Sequence, residues 1–267
     1  MSKVIAVTGA TSGMGKACAE KLSARGHRVY GTAYGIEMDP EWKHLPYALI
    51  PCDITDQQSV EAFYGRIRGE TKRIDVLVNC AGFALEGSVE DVTVEEARSQ
   101  FEVNVFGTHR MIREVLPVMR AQGGGKIITI SSLAAQVPAL PHQGFYSMSK
   151  KAVDGLVEAL RLECKPFGIQ ATSINPGDMK TDFTANRVRA AALKPGSPYY
   201  EASMKNVDKM KKSELSSQGP AVIGELVCRL VDAKRLEPKY FIEPKYKLFL
   251  FLMRFLSNNR VEKIIGG

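Results

Sequence analysis

The amino-acid sequence predicts an α/β protein, a single domain built on a doubly wound parallel sheet with helices on both faces. Two observations predict it. Short apolar, β-branched runs alternate with helical stretches of ten or more residues, the pattern of right-handed βαβ units. The turn between the first run and the first helix is rich in glycine, the context that a nucleotide-binding loop requires. With 267 residues the chain can bury a sizeable core, and one domain over 1–267 accounts for it.

The first strand is expected at Val4 to Val7. It runs into Thr8-Gly9-Ala10-Thr11-Ser12-Gly13-Met14-Gly15, and a helix follows to about Arg25, stopped by Gly26. Gly9 permits the tight turn, Gly13 lets the backbone approach a pyrophosphate, and Gly15 lets the helix sit close to the strand. The free N–H groups and dipole of the helix N-terminus favour an anion there. A second strand is expected at His27 to Ala33 and a third at Tyr47 to Ile50, followed by Cys52-Asp53. Asp53 suits either an adenine amino group or a turn. A helix from Asp56 to about Arg68 has the aspartate as its cap, and a fourth strand at Ile74 to Val78 ends in Asn79-Cys80-Ala81-Gly82, where small residues leave room for a flat ring or a ribose.

Helices over Val94 to Val103 and Val105 to Gln122 flank Asn104, which a helix interior does not favour; it is either a satisfied amide or a kink near a site. Gly123-Gly124-Gly125 closes that helix, and a strand from Lys126 to Ile130 delivers Ser131 and Ser132. A long helix from Tyr146 to about Phe167 precedes a sixth strand, Gln170 to Ile174, which ends in Asn175-Pro176-Gly177-Asp178-Met179-Lys180-Thr181. Within the long helix Tyr146 and Lys150 lie four residues apart and share a face. A phenol with a pKa of ~10 is a poor base, but a neighbouring ammonium favours the phenolate and lowers that value. The pair therefore suits proton exchange with a hydroxyl or carbonyl; otherwise it is a solvated helix face.

Composition narrows the alternatives. Charged residues make up 24% and hydrophobic ones 45%, as in a soluble globular protein, and the net charge of +7 is spread along the chain. Its densest cluster, Lys205, Lys209, Lys211 and Lys212, reads as a solvated helix face, so no nucleic-acid partner is expected. Five cysteines, Cys18, Cys52, Cys80, Cys164 and Cys228, form no CxxC pair and read as free, mostly buried thiols. No cluster has metal-ligand spacing, so no metal is expected. Of the four histidines only His142 is placed to touch a substrate. The start MSKVIAV lacks the features of a signal peptide, and no run reaches the ~20 apolar residues of a membrane span. A cytoplasmic location is expected.

The motifs TGATSGMG, CDIT, NCAG, NVFG, the ISS strand end, YSMSK and NPGDMKT occur in an order and spacing that resemble the short-chain dehydrogenase/reductase family, over about residues 3 to 182 and more loosely 219 to 243. The resemblance, hydroxysteroid-dehydrogenase-like in its long C-terminal part, implies a Rossmann-type fold and a catalytic set of Asn104, Ser132, Tyr146 and Lys150. Tyr146 would be the general acid or base, Lys150 would lower its pKa and bond the nicotinamide ribose, Ser132 would hold the substrate oxygen, and Asn104 would fix a water in a relay to Lys150. Cys80 stands where the family usually has a second asparagine. The interval from Ser132 to Tyr146 is one residue longer than usual, which leaves Ser131 as the alternative to Ser132. The cofactor-binding residues so implied are Gly9, Thr11, Ser12, Gly13, Met14 and Gly15 in the first loop and Tyr34 after the second strand. Asp53, Ile54, Asn79, Ala81 and Gly82 follow the next two strands. Tyr146 and Lys150 join them from the long helix, and Pro176, Gly177, Met179 and Thr181 from the last turn.

Around Ala33 the aspartate usual in NAD enzymes of the family is missing, and so is the arginine usual in NADP enzymes around Tyr34. Ser12 and the basic charge balance favour NADP(H); Glu37 or Asp39 would restore NAD(H). Residues 183–218 are expected to form a substrate lid with Tyr199, Tyr200, Met204 and Met210 lining an apolar pocket, unless these aromatics merely pack on the body. The apolar tail, 244–267, contains Leu248-Phe249-Leu250-Phe251-Leu252-Met253 and is expected to bury against the body or a neighbouring subunit, with weaker claims to the substrate pocket or a membrane surface. The function implied is interconversion of a secondary alcohol and a ketone by hydride transfer on a bulky lipophilic small molecule such as a hydroxysteroid. A β-ketoacyl thioester reductase, or a catalytically silent NAD(P)-binding regulatory protein, is the alternative. The helices at 105–122 and 146–167 resemble those that pair subunits in this family, so a homodimer or homotetramer is expected.

Overall fold

A computed structural model describes residues 1–35, 42, 44–181 and 187–266, the side chains of 265 and 266 excepted. In chain order the first part contains β1 (Val4–Val7), α1 (Gly13–Ala24), β2 (Arg28–Ala33), β3 (Ala48–Pro51), α2 (Gln57–Glu70), β4 (Val76–Asn79) and β5 (Leu85–Glu86). Then come α3 (Val94–Phe101), a π-helical turn (Glu102–Gly107), α4 (Thr108–Ala121), β6 (Gly125–Ile130), α5 (Gly144–Glu163) and β7 (Ile169–Ile174). The last part holds β8 (Val188–Arg189), α6 (Tyr200–Leu215), α7 (Ala221–Asp232), β9 (Lys239–Tyr240), α8 (Pro244–Met253) and α9 (Asn258–Gly266). Seven strands form one parallel sheet in the order β3-β2-β1-β4-β6-β7-β9, with β1 paired to both β2 and β4. The order turns back on itself between β1 and β4, where open α/β sheets bind ligands at the carboxyl ends of the strands.

Alternation along the strands builds the two layers. Ile5 and Val7 face one side with Leu22 of α1 and Ile223 and Val227 of α7, while Ala6 faces the other with Phe63 and Tyr64 of α2, Met111 of α4 and Val157 of α5. Local signals set the helix ends. Asp56 accepts from the Gln58 and Ser59 amides at the start of α2, as expected, and Thr93 with Glu96 forms a capping box on α3. The suspected kink at Asn104 is the π-helical turn. Thr108 Oγ1 donates to the Asn104 carbonyl at 2.9 Å, which partners a group the wider turn would otherwise strand.

Departures from expectation concentrate near the C-terminus. β5 and β8 pair as a separate two-stranded parallel sheet. The middle of the expected lid, 200–215, is α6, and the four lysines of its cluster are exposed. α8 buries none of its residues fully, so the tail does not pack into the body as a core element; Val261 of α9 is buried instead. No described helix is long and apolar enough to cross a membrane.

Candidate active site

A cavity of about 830 Å³ opens at the carboxyl ends of β1, β4, β6 and β7. At one end it is walled by backbone. A Cβ at Gly15 would lie 2.0 Å from the Gly9 carbonyl oxygen, so only glycine lets α1 start this close to β1. Gly13 has φ +50° and open space above it. Ser12 makes no side-chain cap and the first turn of α1 has no acidic residue, which leaves its N–H groups facing the cavity. Those features fit a pyrophosphate. Thr8 Oγ1 accepts from the Cys80 and Ala81 amides at 2.9 and 3.0 Å and so pins the end of β4 beside this loop.

Most residues implied for the cofactor line this cavity. Gly9, Thr11, Ser12, Gly13, Met14 and Gly15 do so from the first loop; Asp53, Ile54, Ala81 and Gly82 do so after β3 and β4; and Pro176, Gly177, Met179 and Thr181 do so after β7. Asp53 also serves the turn reading, since its Oδ1 accepts from the Thr55 amide at 2.8 Å and hydroxyl at 2.7 Å. Tyr34 stands 72% exposed at the rim, and Ala33 beneath it is buried. Glu37 and Asp39 lie outside the described residues. Asn79 does not reach the cavity: its Nδ2 donates to Thr129 Oγ1 at 3.3 Å, within the sheet.

The four residues of the catalytic set converge. Tyr146 is buried and hydrogen-bonded to Ser132. Ser131 turns inward and donates to the Lys150 carbonyl at 3.3 Å, so Ser132 is the serine beside the phenol. Lys150 Nζ donates to the Ile130 carbonyl at 3.0 Å and lies 5.9 Å from the Tyr146 ring centroid. Asn104 does not line the cavity. Its Nδ2 donates to the Phe83 carbonyl and to Ser149 Oγ, and its Oδ1 accepts from the Phe83 amide. A Cβ at Gly82 would sit 2.9 Å from that Oδ1 and 3.8 Å from Lys150 Nζ, so both side chains border the same small space.

The expected depression of the Tyr146 pKa is not found. Burial pushes it up from 10.0, partly offset by the Ser132 hydrogen bond and the Arg187 charge, and Lys150 is too distant to reverse this. Burial also lowers Lys150 from 10.5 to about 8. The site as it stands holds a neutral phenol, which is the form that gives up a proton.

Side chains that carried no sequence signal build the cavity's other end. Arg187 Nη1 donates to Glu86 at 3.1 Å and Nη2 donates to Glu214, with the three side chains 8%, 3% and 9% exposed. Arg187 Nε is buried and finds no hydrogen-bond partner among the described residues. Burial raises the Glu214 pKa, with Arg187 opposing. Glu86 and Arg187 are a hundred positions apart, so no local pattern could have joined them. Met210 lines this end as expected, but Tyr199 donates to Glu90 at 2.7 Å and Met204 packs on Leu85, Val92, Ala190 and Leu193, away from it. His142 is also absent from the lining; it has φ +59°, and its carbonyl accepts from Gly87. Tyr246 of the tail does line the cavity.

Comparison with known proteins agrees with this geometry. The family model for short chain dehydrogenase matches residues 3–192. A 3-ketodihydrosphingosine reductase of Bacteroides thetaiotaomicron is 38% identical over 232 residues, 87% of this chain and 84% of that protein. An NADPH-dependent 3-dehydrocapnine reductase of Ornithobacterium rhinotracheale is 33% identical over 276 residues, 97% of this chain and 94% of that one. The crystal structure of a short-chain dehydrogenase from Streptomyces avermitilis superimposes with a TM-score of 0.82 at 30% identity, covering 96% of this chain and 93% of that chain. The chain belongs to the short-chain dehydrogenase family and is an oxidoreductase that binds NAD(P).

Proposed function

We propose that the protein reduces a bulky lipophilic ketone to a secondary alcohol with NADP(H). The observation that carries this is the buried, neutral Tyr146 hydroxyl beside Ser132. The chemistry such a cofactor supplies when bound is a hydride for the carbonyl carbon. Ser132 Oγ holds the substrate oxygen, and Tyr146 passes its phenolic proton to that oxygen as negative charge develops there. Lys150, cationic below about 8, offsets the charge left on the phenol. Asn104 is a positioning residue that holds the Phe83 backbone and Ser149 around Lys150. For the cofactor, the Gly9–Gly15 loop and the start of α1 would take the pyrophosphate, Asp53 and Ile54 the adenine, Lys150 the nicotinamide ribose, and Pro176 to Thr181 the nicotinamide. The preference for NADP(H) rests on Ala33 and Tyr34 offering no carboxylate to a ribose hydroxyl, and on the NADPH dependence in the name of one relative. Titration of both cofactors by fluorescence tests it: NADPH should bind at least tenfold more tightly, about 1.4 kcal/mol, and the reverse order would overturn the assignment.

For the substrate, the relatives named for 3-ketodihydrosphingosine and 3-dehydrocapnine support a long-chain ketone over a hydroxysteroid or a β-ketoacyl thioester. A cavity apolar along Leu140 and Met210 and charged at Arg187 and Glu214 suits an amphiphile. NADPH oxidation measured against long-chain 3-ketones, ketosteroids and β-ketoacyl thioesters decides among them, and inactivity on all three would favour the regulatory reading. Five free thiols suit a cytoplasmic protein, and Met148 and Leu162, 50% and 77% exposed on α5, suit a homodimer or homotetramer.

A further inference from the structure

α8 is apolar on two opposite sides. Inward, Phe249, Leu250 and Met253 are partly buried, and Tyr246 lies over Gly177 so closely that a Cβ there would meet its hydroxyl at 2.2 Å. The first turn of α8 is therefore part of the cavity wall. Outward, Leu248, Phe251, Leu252 and Phe255 follow each other at i, i+3, i+4 and i+7 and are 59%, 55%, 52% and 73% exposed. The Phe251 and Phe255 rings meet edge to face with centroids 5.2 Å apart, which makes one continuous apolar stripe. Contiguous exposed patches of this kind mark interaction surfaces.

Charge says what covers it. Residues 244–267 hold five basic side chains, Lys245, Lys247, Arg254, Arg260 and Lys263, against one acidic, Glu262, a surplus of four in a chain whose total is +7. Lys245 pairs with Glu243, while Lys247, Arg254, Arg260 and Lys263 are exposed and make no ion pair among the described residues. A second copy set against this stripe would bring like charges together. An anionic lipid surface answers both the stripe and its basic flanks, and a helix of ten residues is too short to do anything but lie in the interface. We propose that α8 is an interfacial anchor that seats the protein on an anionic bilayer, with the cavity mouth held at the acyl–headgroup boundary. Only the anchor's purpose, loading a lipophilic ketone from the bilayer, rests on the proposed function.

Flotation of the full chain with phosphatidylcholine vesicles, with and without phosphatidylglycerol, tests the anchor without reading turnover. The wild type should float with the anionic vesicles, release as salt is raised, and ignore the neutral ones. Phe251→Ser combined with Phe255→Ser should weaken flotation at least about tenfold, and Arg254→Glu at least about fivefold. Leu215→Ser, which removes an equally exposed apolar side chain on α6, should float as the wild type does. All these positions lie outside the cavity lining, so reduction of a small water-soluble ketone should be unchanged and reports that the variants are folded. Wild type that stays unbound with anionic vesicles overturns the proposal, as does a Phe251→Ser/Phe255→Ser variant that floats normally. Light scattering in which that variant dissociates an assembly, with no vesicle binding by the wild type, assigns the stripe to a second copy instead.

Discussion

From Gly9 to Gly15 the cavity is shaped by what is missing: no side chain at Gly15, no cap at Ser12, and N–H groups left open to a ligand. Beyond Tyr146 it is shaped by what has been added, three buried charged side chains on β5, α6 and the segment between them, and a tyrosine from α8. The first end handles a cofactor shared by many enzymes, and backbone suffices for it. The second has to distinguish one ketone from another, and that takes side chains whose positions depend on the rest of the fold.

The sharpest way to break this comparison lies at the junction of the two ends. Tyr146→Phe keeps the ring and removes one oxygen, so the fold and NADPH binding should survive while kcat falls by roughly 10²–10⁴-fold. Near-full ketone reduction by the variant would reduce Tyr146 and Lys150 to a packed helix face. Arg187→Ala comes next. It leaves Glu86 and Glu214 buried without their guanidinium, a change typically costing ~3–5 kcal/mol, which for a chain of this size lowers Tm by roughly 6–20 °C. NADPH affinity should be untouched. If calorimetry finds no loss of stability, or if cofactor binding falls with it, the two ends are not separable.

Lys150→Met gives the smallest of these effects and runs in the other direction. Burial holds Lys150 at about 8 in the folded protein against 10.5. The unfolded chain therefore binds more protons between those values, and stability rises with pH across that window. Below it the cost of the buried ammonium is fully present, so Lys150→Met should stabilise the unliganded fold near neutral pH by on the order of 1–3 kcal/mol and lose the gain at strongly alkaline pH. Wild-type reduction should also decline above about 8 as Lys150 loses its proton. A variant that melts no higher than wild type at neutral pH would refute the buried-charge account.

The same contrast governs what could be read from the sequence. The βαβ order, the glycine loop and the spacing of Tyr146 and Lys150 are local, and each appears in the structure within a few residues of where the pattern puts it. The kink at Asn104 was also legible, because an amide in mid-helix asks for a reason. Asn79 was misplaced because a residue at a strand end can face the sheet as easily as the cavity. The Tyr146 pKa went the wrong way because spacing reports proximity and says nothing about burial. Arg187, Glu86 and Glu214 were invisible, since their association depends on a two-residue strand pairing between β5 and β8. The tail was expected to bury its apolar run, but apolar residues all round a short helix do not say which side meets the body.

The π-helical turn from Glu102 to Gly107 also sets the reading frame of everything after it. Each residue of an α-helix advances the azimuth by about 100°, so deleting one residue here would regain regular pitch while turning α4 by nearly a third of a revolution. Met111, Ile112, Val115 and Met119, all now buried against the sheet, would rotate toward solvent. Substitution is tolerable in this segment. A change of length is not, and any drift in the length of such chains has to be absorbed elsewhere.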